Sequence, residues 1–546
     1  MATAAQKVIG SKIGRWCPAR QAMEVDRQVG RALRGGTTAM RAMGTVFLPR
    51  DWRERQKPEE YQARLLRTFL TPGYDDAIKS IASRPFQRAV ELKGGEKLAE
   101  ELQKIEKDSD RKGLPLTMLA HDLFEMAIDC GVAHVLIEYP DNTIIDKEAP
   151  PPKRGAKPTR RVMNSGEAMD NDIRPYFCKV HPDNLVNWAW KKDDGGRDVL
   201  AFVAIYESRQ AVDPVTMDVT RIDRIRYWSD TEWQVWERAG LPEQQTTNRI
   251  TAEADLIQTA RQAGAWFGGE DATRIYTMVS SGTHPVGRVP LVSTNLHPFG
   301  ADPLQARPWL IDLAWKNIEH WQVSSGRSTV LFYAGCPLLT GSGAKNDDAE
   351  GGVTLGAGAL VMSNNPDFKM AYVEPGGSSF DALQKRDAEL KEEMARLGHQ
   401  PLVQVEGPVT ATGEVRADQA QQSPAQSAVE KLEWLIYQAY EIAARWEQGP
   451  TAKLPEEFDV AIFRDFGILS SRATDIPALQ ADAKEGRITT ERYLTEARFR
   501  GLYRSDMDPA IEAEKAAESL PNMLPSFGQP PGVPGSPDGA ATGAAA

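Results

Sequence analysis

Residues 116–137 read LTMLAHDLFEMAIDCGVAHVLI, and this stretch decides the fold around it. Its apolar residues recur at intervals of three and four up to Cys130, which predicts an amphipathic helix that Gly131 ends. The run from Val132 to Ile137 then indicates a buried strand that stops at Tyr139 and Pro140. A helix followed directly by a buried strand is typical of a layered arrangement of helices on a sheet.

Two shorter helices are predicted upstream of this unit. The first begins at Pro58, a residue suited to a first helical position, and is ended by the Thr-Pro-Gly sequence at 71–73. The second follows at once, carries Ile78 and Ile81, and ends before Pro85. The residues predicted to share one face of the first helix are Tyr61, Leu65 and Phe69.

Downstream, residues 174–236 are dominated by β-branched and aromatic residues, which predicts a strand-rich region. The strongest strand patterns are 176–180, 200–206, 224–228 and 232–236. Residues 141–173 lose all periodicity and contain three consecutive prolines at 150–152, which predicts an exposed, flexible insertion.

The helical period returns after Pro308. It predicts helices near 310–321, 383–397 and 425–446, with a strand-like run at 329–333 between the first two. Glycines at 341, 343, 351 and 352 then interrupt the pattern, and residues 520–546 hold six Pro, five Gly and one charge, too little to form a core. Helical segments on both sides of a strand-rich middle region predict a mixed α+β fold.

The composition is that of a folded protein, with 41% hydrophobic residues, 26% charged residues and thirteen Trp. The net charge of −11 argues against a protein that coats nucleic acid by neutralising phosphates. Residues 1–50 nevertheless carry nine basic and two acidic side chains. We interpret them as a solvated, flexible basic arm or as a contact with a polyanion or an acidic neighbouring subunit.

Neither a membrane span nor a secretory signal is predicted, because no long apolar run occurs. We therefore expect a soluble protein made inside a cell. The four Cys, at 17, 130, 178 and 336, are too far apart for a CxxC pair and indicate reduced thiols.

Motifs for enzyme chemistry are absent from the sequence. There is no Gly-Lys dipeptide for a P-loop, no G-x-S-x-G elbow and no H-E-x-x-H helix, and the seven His have no ligand spacing. The segment from Asn346 to Gly351 resembles the start of a calcium loop, but Ala357 stands where the bidentate Glu is needed. We therefore predict no enzyme activity, no cofactor and no metal.

Two further groups of residues, two acidic pairs and a cluster of tryptophans, do not define a site. The acidic pairs Asp193-Asp194 and Asp347-Asp348 lie among glycines and predict solvated turns. The clustered tryptophans predict an apolar sheet face or subunit interface rather than a stacking site for sugar or base; they are Trp188, Trp190, Trp228, Trp233 and Trp236.

Read as a series, several segments resemble a tailed-phage portal protein, the head-to-tail connector, of the type that carries a conserved domain of unknown function. They are YDDAIKSI (74–81), VLIEYP (135–140), RPY (174–176) with HPDNLVNW (181–188), VPLV (289–292), LIDLAWKNIEH (310–320) with GCPL (335–338), VTATGEVR (409–416), and EGRITT (485–490) with RGL (500–502). Their order and spacing, over about 58–515, resemble those of that family.

The resemblance implies a homo-oligomeric ring, usually a dodecamer, at one capsid vertex of the virion. Its wing, stem, clip and crown regions would surround a channel for double-stranded DNA in packaging and ejection. The implied partners are the terminase (the separate packaging ATPase), the head-tail adaptor and the major capsid protein. A channel that passes any sequence must avoid base readout and tight phosphate neutralisation, and an acidic chain is compatible with that requirement.

The resemblance also divides the chain. It implies that 310–321 is a wing or stem helix, that 383–397 and 429–446 flank the channel, and that 175–290 contributes wing and clip. The predicted divisions are a basic arm (1–57), an α/β wing part (58–140), the insertion (141–173), a wing/clip region (174–307), stem/wing helices with a Gly-rich loop (308–399), a tunnel loop (400–424), a crown-side helical region (425–515) and a disordered tail (516–546). The candidate channel-loop residues are Gly407, Thr410, Thr412, Gly413, Glu414, Arg416 and Gln419.

Two other classes of function stay open. One is a virion or scaffold protein that binds partners through its Trp-rich sheet without forming a channel. The other is a nucleic-acid enzyme with an unfamiliar carboxylate site. Closed rings with a central hole would indicate the channel protein, and turnover of DNA with a divalent metal would indicate the enzyme.

Overall fold

The fold is taken from a computed structural model. It describes residues 9–10, 12–140, 143–145, 160–163, 171–212, 214–238, 276–334, 338–342, 369–373, 378–399, 424–464, 480–499 and 509–519. The chain divides into two units, residues 1–466 and 467–546. Among the described residues, no helix is both long and apolar enough to cross a membrane.

Helices lie mainly in the N-terminal and C-terminal parts of the first unit, and the second unit contains two more. They are α1 (Pro18–Ala22), α2 (Glu24–Arg34), α3 (Gly36–Met43), α4 (Trp52–Gln56), α5 (Pro58–Arg67), α6 (Gly73–Ser83), α7 (Glu100–Lys107), α8 (Leu116–Cys130), α9 (Ile311–Ala334), α10 (Ser378–His399), α11 (Pro424–Gln448), α12 (Thr490–Phe499) and α13 (Pro509–Ser519). In the second unit, α12 and α13 pack against each other.

The strands form antiparallel sheets. In chain order they are β1 (Glu91–Lys93), β2 (Val132–Glu138), β3 (Thr143–Ile145), β4 (Arg160–Val162), β5 (Tyr176–Val180), β6 (Leu185–Lys192), β7 (Asp198–Val212), β8 (Val219–Ser229), β9 (Glu232–Arg238), β10 (Thr277–Thr283), β11 (Leu291–Asn295), β12 (Leu338–Ser342), β13 (Lys369–Val373) and β14 (Asp459–Ala461). The sheet orders are β10-β9-β8-β7-β6, β11-β2-β5, β1-β14, β12-β13 and β3-β4. The prediction of a mixed α+β fold is confirmed.

The helix-strand unit at 116–138 has the predicted bounds. Gly131 has φ of 79°, and a Cβ there would lie 1.9 Å from the Arg307 carbonyl oxygen, so only glycine fits the turn between α8 and β2. Every residue of β2 is buried. Strand β11 pairs Val292 with Val135, and β5 pairs Cys178 with Leu136, so β2 is the central strand of its sheet.

The five-stranded sheet buries both of its faces, because the side chains of a strand point alternately to the two sides. One face, with Val203 and Ile205, belongs to a cluster that includes Met23 and Leu136. The other face, with Ala204 and Ile225, is covered by Ile13 and Trp16 from the start of the chain. The predicted strand-rich region is confirmed.

The N-terminal basic segment is part of the fold, so its interpretation as a solvated, flexible arm is wrong. Arg20 and Arg27 are 0% and 2% exposed. Arg20 Nη2 and Arg31 Nη1 lie 3.2 and 2.7 Å from the carboxylate oxygens of Asp183, and Arg27 donates to the Pro182 carbonyl at 2.9 Å. Burial of these arginines is tolerated because acceptors within the chain pair with them. Arg34 is paired in the same way, with Asp75, Glu125 and Asp129.

Two local predictions are wrong. The strand-like run at 329–333 continues helix α9, because this end of the helix is anchored laterally: Arg327 pairs with Asp387 of α10 at 2.7 Å. Such tertiary contacts override the preference of Thr329 and Val330 for strand. Phe69, expected on the buried face of its helix, lies beyond the end of α5 at Arg67 and is 64% exposed.

The predicted flexible insertion and disordered tail each contain regular structure. Within 141–173, the β-branched residues 143–145 pair with 160–162 as β3 and β4. Helix α13 continues to Ser519, four residues into the predicted tail, since Ala, Glu and Ser tolerate the helix. The Gly-rich stretch 343–368 and residues 520–546 lie outside the described residues, whereas Gly341 lies in strand β12.

Candidate functional site

The predicted channel loop lies outside the described residues. Its named members, Gly407, Thr410, Thr412, Gly413, Glu414, Arg416 and Gln419, fall in the stretch 400–423. Helix α10 ends at His399 before this stretch, and α11 begins at Pro424 after it. The candidate site is therefore described through the three long helices that precede and follow the loop.

Helices α9 and α10 run antiparallel and are joined by ion pairs. Lys316 Nζ lies 3.0 Å from Glu393, and Arg386 Nη2 lies 2.5 Å from Glu319. Farther along α9, Arg327 contacts Asp387 of α10. Residues early in α9 thus contact residues late in α10. These ion pairs fix the position of each helix along the other.

A buried carboxylate of this pair is Asp387, which is 3% exposed. Three basic groups surround its carboxylate: Arg327 at 2.7 Å, Lys391 at 2.9 Å and His320 Nε2 at 3.1 Å. Burial alone opposes ionisation of Asp387, but the hydrogen bond from Lys391 and the charge of Arg327 hold its pKa below the ordinary value. Burial also lowers the pKa of His320. Because both side chains are enclosed between helices, the cluster joins α9 to α10.

Helix α11 packs into the main core on most of its circumference. Glu433, 7% exposed, accepts hydrogen bonds from the Ile462 backbone N–H at 2.8 Å and from Arg464 Nε at 3.1 Å. Near the other end, Trp446 donates to the Ile137 carbonyl at 3.0 Å. The helix that follows the predicted channel loop is thereby fixed to β2 and to the strand region around β14.

The other sequence-predicted groups lie apart from these helices. Asp193 closes the β6–β7 turn by accepting from the Arg197 backbone N–H at 2.8 Å, as a solvated turn requires. Asp347 and Asp348 lie outside the described residues. Trp188 lies in an apolar cluster on one face of the sheet and Trp190 packs against it, as predicted for a sheet face. Both ring N–H groups donate to Asp302, at 2.9 and 3.3 Å. The remaining tryptophans of the group, Trp228, Trp233 and Trp236, also pack in the clusters of this sheet.

No group of three or more His, Cys, Asp or Glu side chains that could hold a metal ion occurs within the described ranges.

An exposed apolar surface lies where α5 meets the end of α9. Phe69 and Phe332 each carry a guanidinium over the ring, Arg41 at 4.8 Å and Arg67 at 4.0 Å from the ring centroid. Leu66 is also exposed, and its carbonyl accepts from Arg41. We call these five residues the arginine-capped patch. Among the described residues, neither arginine has a carboxylate within ion-pair distance.

A second exposed apolar surface is the end of the β7–β8 hairpin. Pairing with β6 reaches Ile205, and pairing with β9 begins at Asp223. The pairs from Arg209–Ile222 to Val212–Val219 therefore have no third strand among the described residues. Val215 and Met217 in the turn are 88% and 71% exposed. We call residues 209–212 with 214–222 the β7–β8 arm. The Tyr206 hydroxyl stiffens its base by donating to Asp223 and accepting from Arg221.

Neither surface was predicted from the sequence. The signal for the arm is the pair Val215 and Met217 in a turn that also holds Pro214 and Asp218, since turns normally carry polar residues. The patch has no such signal in the sequence, because Phe69 continues the helical spacing of Tyr61 and Leu65. Phe69 is exposed because α5 ends at Arg67, before Phe69 is reached.

Comparison with known families gives one finding. Residues 309–447 match the model of the family described as Domain of unknown function (DUF4055). The matched range begins just before α9, includes α10 and ends one residue before the end of α11. No curated protein matches the chain.

Proposed function

We propose that this chain is the subunit of a viral portal ring, which provides the channel for double-stranded DNA at one capsid vertex. The observation that carries the proposal is where the portal-like segments lie in the fold. Residues 74–81 lie in α6, 135–138 in β2, 176 in β5, 291–292 in β11 and 311–320 in α9.

These segments, far apart in sequence, contact one another. Strands β11 and β5 flank β2, and the Tyr74 backbone N–H of α6 donates to Asn317 of α9 at 2.9 Å. The Asn317 amide donates in turn to the Thr71 carbonyl at 3.0 Å. The segments in α6, β2, β5, β11 and α9 therefore belong to one contiguous core, as a shared fold requires. Of the other segments, 409–416 lies outside the described residues and 485–490 belongs to the second unit.

Two further features support assembly into a ring. The chain presents apolar surfaces at two different places, the arginine-capped patch and the β7–β8 arm. A contact between two different surfaces of identical subunits is heterologous, and it closes into a ring when the rotation permits. The ion-paired α9–α10 hairpin with α11 supplies long, rigid helices next to the proposed channel loop.

The test is the assembly state of the purified chain without nucleotide or metal. Light scattering after size exclusion should give a mass many times the 60.3 kDa of one chain, and negative-stain images should show closed rings with a central hole. A monomer at micromolar concentration would refute the proposal. Large assemblies without a hole would instead indicate a scaffold protein. To test the prediction that the chain is not an enzyme, the repurified chain is assayed for ATP hydrolysis and for DNA cleavage with magnesium or manganese, and neither is expected.

A further inference from the structure

We propose that the arginine-capped patch, together with Arg50, is the cationic half of the contact between neighbouring subunits and binds carboxylates of the next copy of this chain. The inference rests on the proposed ring and names the chemistry of one side of its subunit contact. The guanidinium groups of Arg41, Arg50 and Arg67 would pair with acidic side chains of the neighbour. Leu66 and Phe69 would pack against the same neighbour.

The three arginines lie along helix α5. Arg41 Nη2 donates to the Leu66 carbonyl at 2.6 Å, so its guanidinium stands at the end of this helix. Arg67 is the last residue of α5. Arg50 lies over the ring of Tyr61, at 4.9 Å from the ring centroid and nearly two turns before Arg67. One helix thus gathers cationic groups from α3, from α5 and from the segment between α3 and α4.

Among the described residues, these arginines have no carboxylate partner. No Asp or Glu of that part of the chain lies within ion-pair distance of Arg41, Arg50 or Arg67, and the Nε atoms of Arg50 and Arg67 are buried without a hydrogen-bond partner. Arg64 of the same helix differs from them, because Glu54 pairs with it at 2.6 Å. The surface therefore keeps a positive charge that an anion from outside the subunit would neutralise.

The guanidinium groups are held in place before any partner binds. Arg67 lies over the Phe332 ring at 4.0 Å and Arg41 over the Phe69 ring at 4.8 Å from the ring centroid. Arg41 also donates to the Thr68 carbonyl at 3.1 Å. A guanidinium group fixed in this way loses little freedom when it binds a carboxylate, whose two oxygens match its planar donors.

A second copy of this chain is the partner that the charges favour. The chain has 76 acidic and 65 basic side chains, so each copy offers carboxylates in excess. Asp194 and Glu392 are examples that are exposed and have no ion pair among the described residues. A cationic surface that meets an acidic surface elsewhere on an identical subunit makes the heterologous contact that a ring requires.

The apolar residues of the patch favour a protein over nucleic acid. Leu66 and Phe69 are 57% and 64% exposed beside the arginines. Aromatic residues and arginine are enriched together at protein interfaces. A phosphate backbone would use the arginines alone, and fixed contacts of that kind would retain a duplex that the proposed channel must let pass.

The first experiment measures assembly of the full chain and of the triple variant Arg41→Gln, Arg50→Gln and Arg67→Gln at low and at high salt. At low salt the variant should need an about tenfold higher concentration for half-assembly. It should also lose most of the salt dependence that the unmodified chain shows, because salt screens these charge pairs. Equal half-assembly concentrations would overturn the proposal.

The matched control is Arg396→Gln. Arg396 is an exposed arginine of α10 that also has no ion pair among the described residues, and its replacement should leave assembly and its salt dependence unchanged. Circular dichroism melts establish that each variant folds. If the triple variant does not fold, Arg67→Gln alone is used, because this side chain donates no hydrogen bond to a described residue; it should raise the half-assembly concentration by about threefold.

Carbodiimide coupling tests the contact between copies directly. Arg67→Lys places an amine at the patch, and the reagent joins an amine to a carboxylate in contact with it as an amide. In assemblies made from a mixture of unlabelled and isotope-labelled chains, peptides cross-linked through this amine should combine one light and one heavy chain, and their sequence identifies the carboxylate. The control Arg396→Lys should give no light–heavy peptides. Cross-links confined to single chains would overturn the proposal.

Nucleic acid as the occupant would give a different result. If a short DNA duplex binds the unmodified chain, and the triple variant loses that binding while it assembles normally, the patch is a phosphate site and the proposal is wrong.

The two proposals fail differently. Rings that the triple variant forms at the normal concentration, without light–heavy peptides in the coupling experiment, would overturn the patch contact while leaving the ring intact. A monomeric unmodified chain would overturn the ring itself.

Discussion

The substitution Asp183→Asn removes the carboxylate on which the N-terminal helices converge. Asp183 is 3% exposed and faces Arg20 and Arg31 at 3.2 and 2.7 Å, with Arg27 at 3.5 Å. Asparagine keeps the size and one oxygen but not the charge. Three guanidinium groups, two of them buried, would then share Glu24 as their nearby carboxylate.

The magnitude follows from the pKa of this carboxyl. Burial opposes ionisation of Asp183, but the charges of Arg31 and Arg27 lower its pKa from 3.8 to about 2. At 1.36 kcal/mol per pKa unit this corresponds to about 2 kcal/mol of stability. Leaving buried arginines without their partner costs about 3–5 kcal/mol in comparable sites. We therefore expect a loss of about 2–5 kcal/mol in the free energy of unfolding at pH 7.

Urea unfolding followed by tryptophan fluorescence measures this loss. With a slope of about 3 kcal/mol per M, the midpoint should fall by roughly 1 M. The control is Asp194→Asn, an exposed aspartate without an ion pair among the described residues, which should leave the midpoint unchanged. Because the folded pKa is lowered, the stabilisation is present above pH 3.8 and is lost as the pH falls towards 2, so the two proteins should converge in acid. Equal midpoints at pH 7 would refute the reasoning.

Three other predictions concern acid, the helix pair and the loop. Burial lowers the pKa of His134 from 6.5 to about 3, and burial also lowers the pKa of His284. As the pH falls below 6.5, these histidines take up protons in the unfolded chain before they do so in the folded chain, so the melting temperature should fall. A constant melting temperature between pH 7 and 5 would contradict this prediction. Asp387→Asn should lower the melting temperature at pH 7, because it removes the carboxylate that pairs with Arg327 of α9 and Lys391 of α10, and an unchanged scan would show that the cluster contributes little. Deleting residues 409–413 should leave rings visible by negative stain yet impair DNA packaging or retention, whereas heads that fill at the normal rate would exclude the loop from DNA transit.

The elements that could be predicted from sequence are those decided by local pattern. Helix α8 and strand β2 agree with their predicted bounds because a glycine with positive φ separates two regular apolar patterns. The helices after Pro308 and the strands after Arg174 follow from the same periodicities. In these segments local preference and tertiary packing agree.

Predictions failed where a distant partner decides the structure. The pairing of Arg20, Arg27 and Arg31 depends on Asp183, more than 150 residues away along the chain. The helical state of residues 329–333 depends on the contact between Arg327 and Asp387. No local pattern contains such a partner.

For the candidate site, the sequence indicated the helices around the loop but neither of the two exposed apolar surfaces. Exposure of Val215 and Phe69 depends on where neighbouring strands and helices stop, and those ends are set by packing.

The arginine contacts of the first helices also impose an order on folding. Helices α1 and α2 cannot bury Arg20 and Arg27 until Asp183 is available, so a growing chain must hold its first residues open while some 150 more are synthesised. Contacts of such sequence separation slow folding, since a long loop must close before they form. Closure of the N-terminal segment over the sheet is thus expected to be a late event. A chain that ends before Asp183 would leave Ile13 and Trp16 without the face they cover, because Val186, Ala204 and Ile225 of that face follow Asp183 in the sequence.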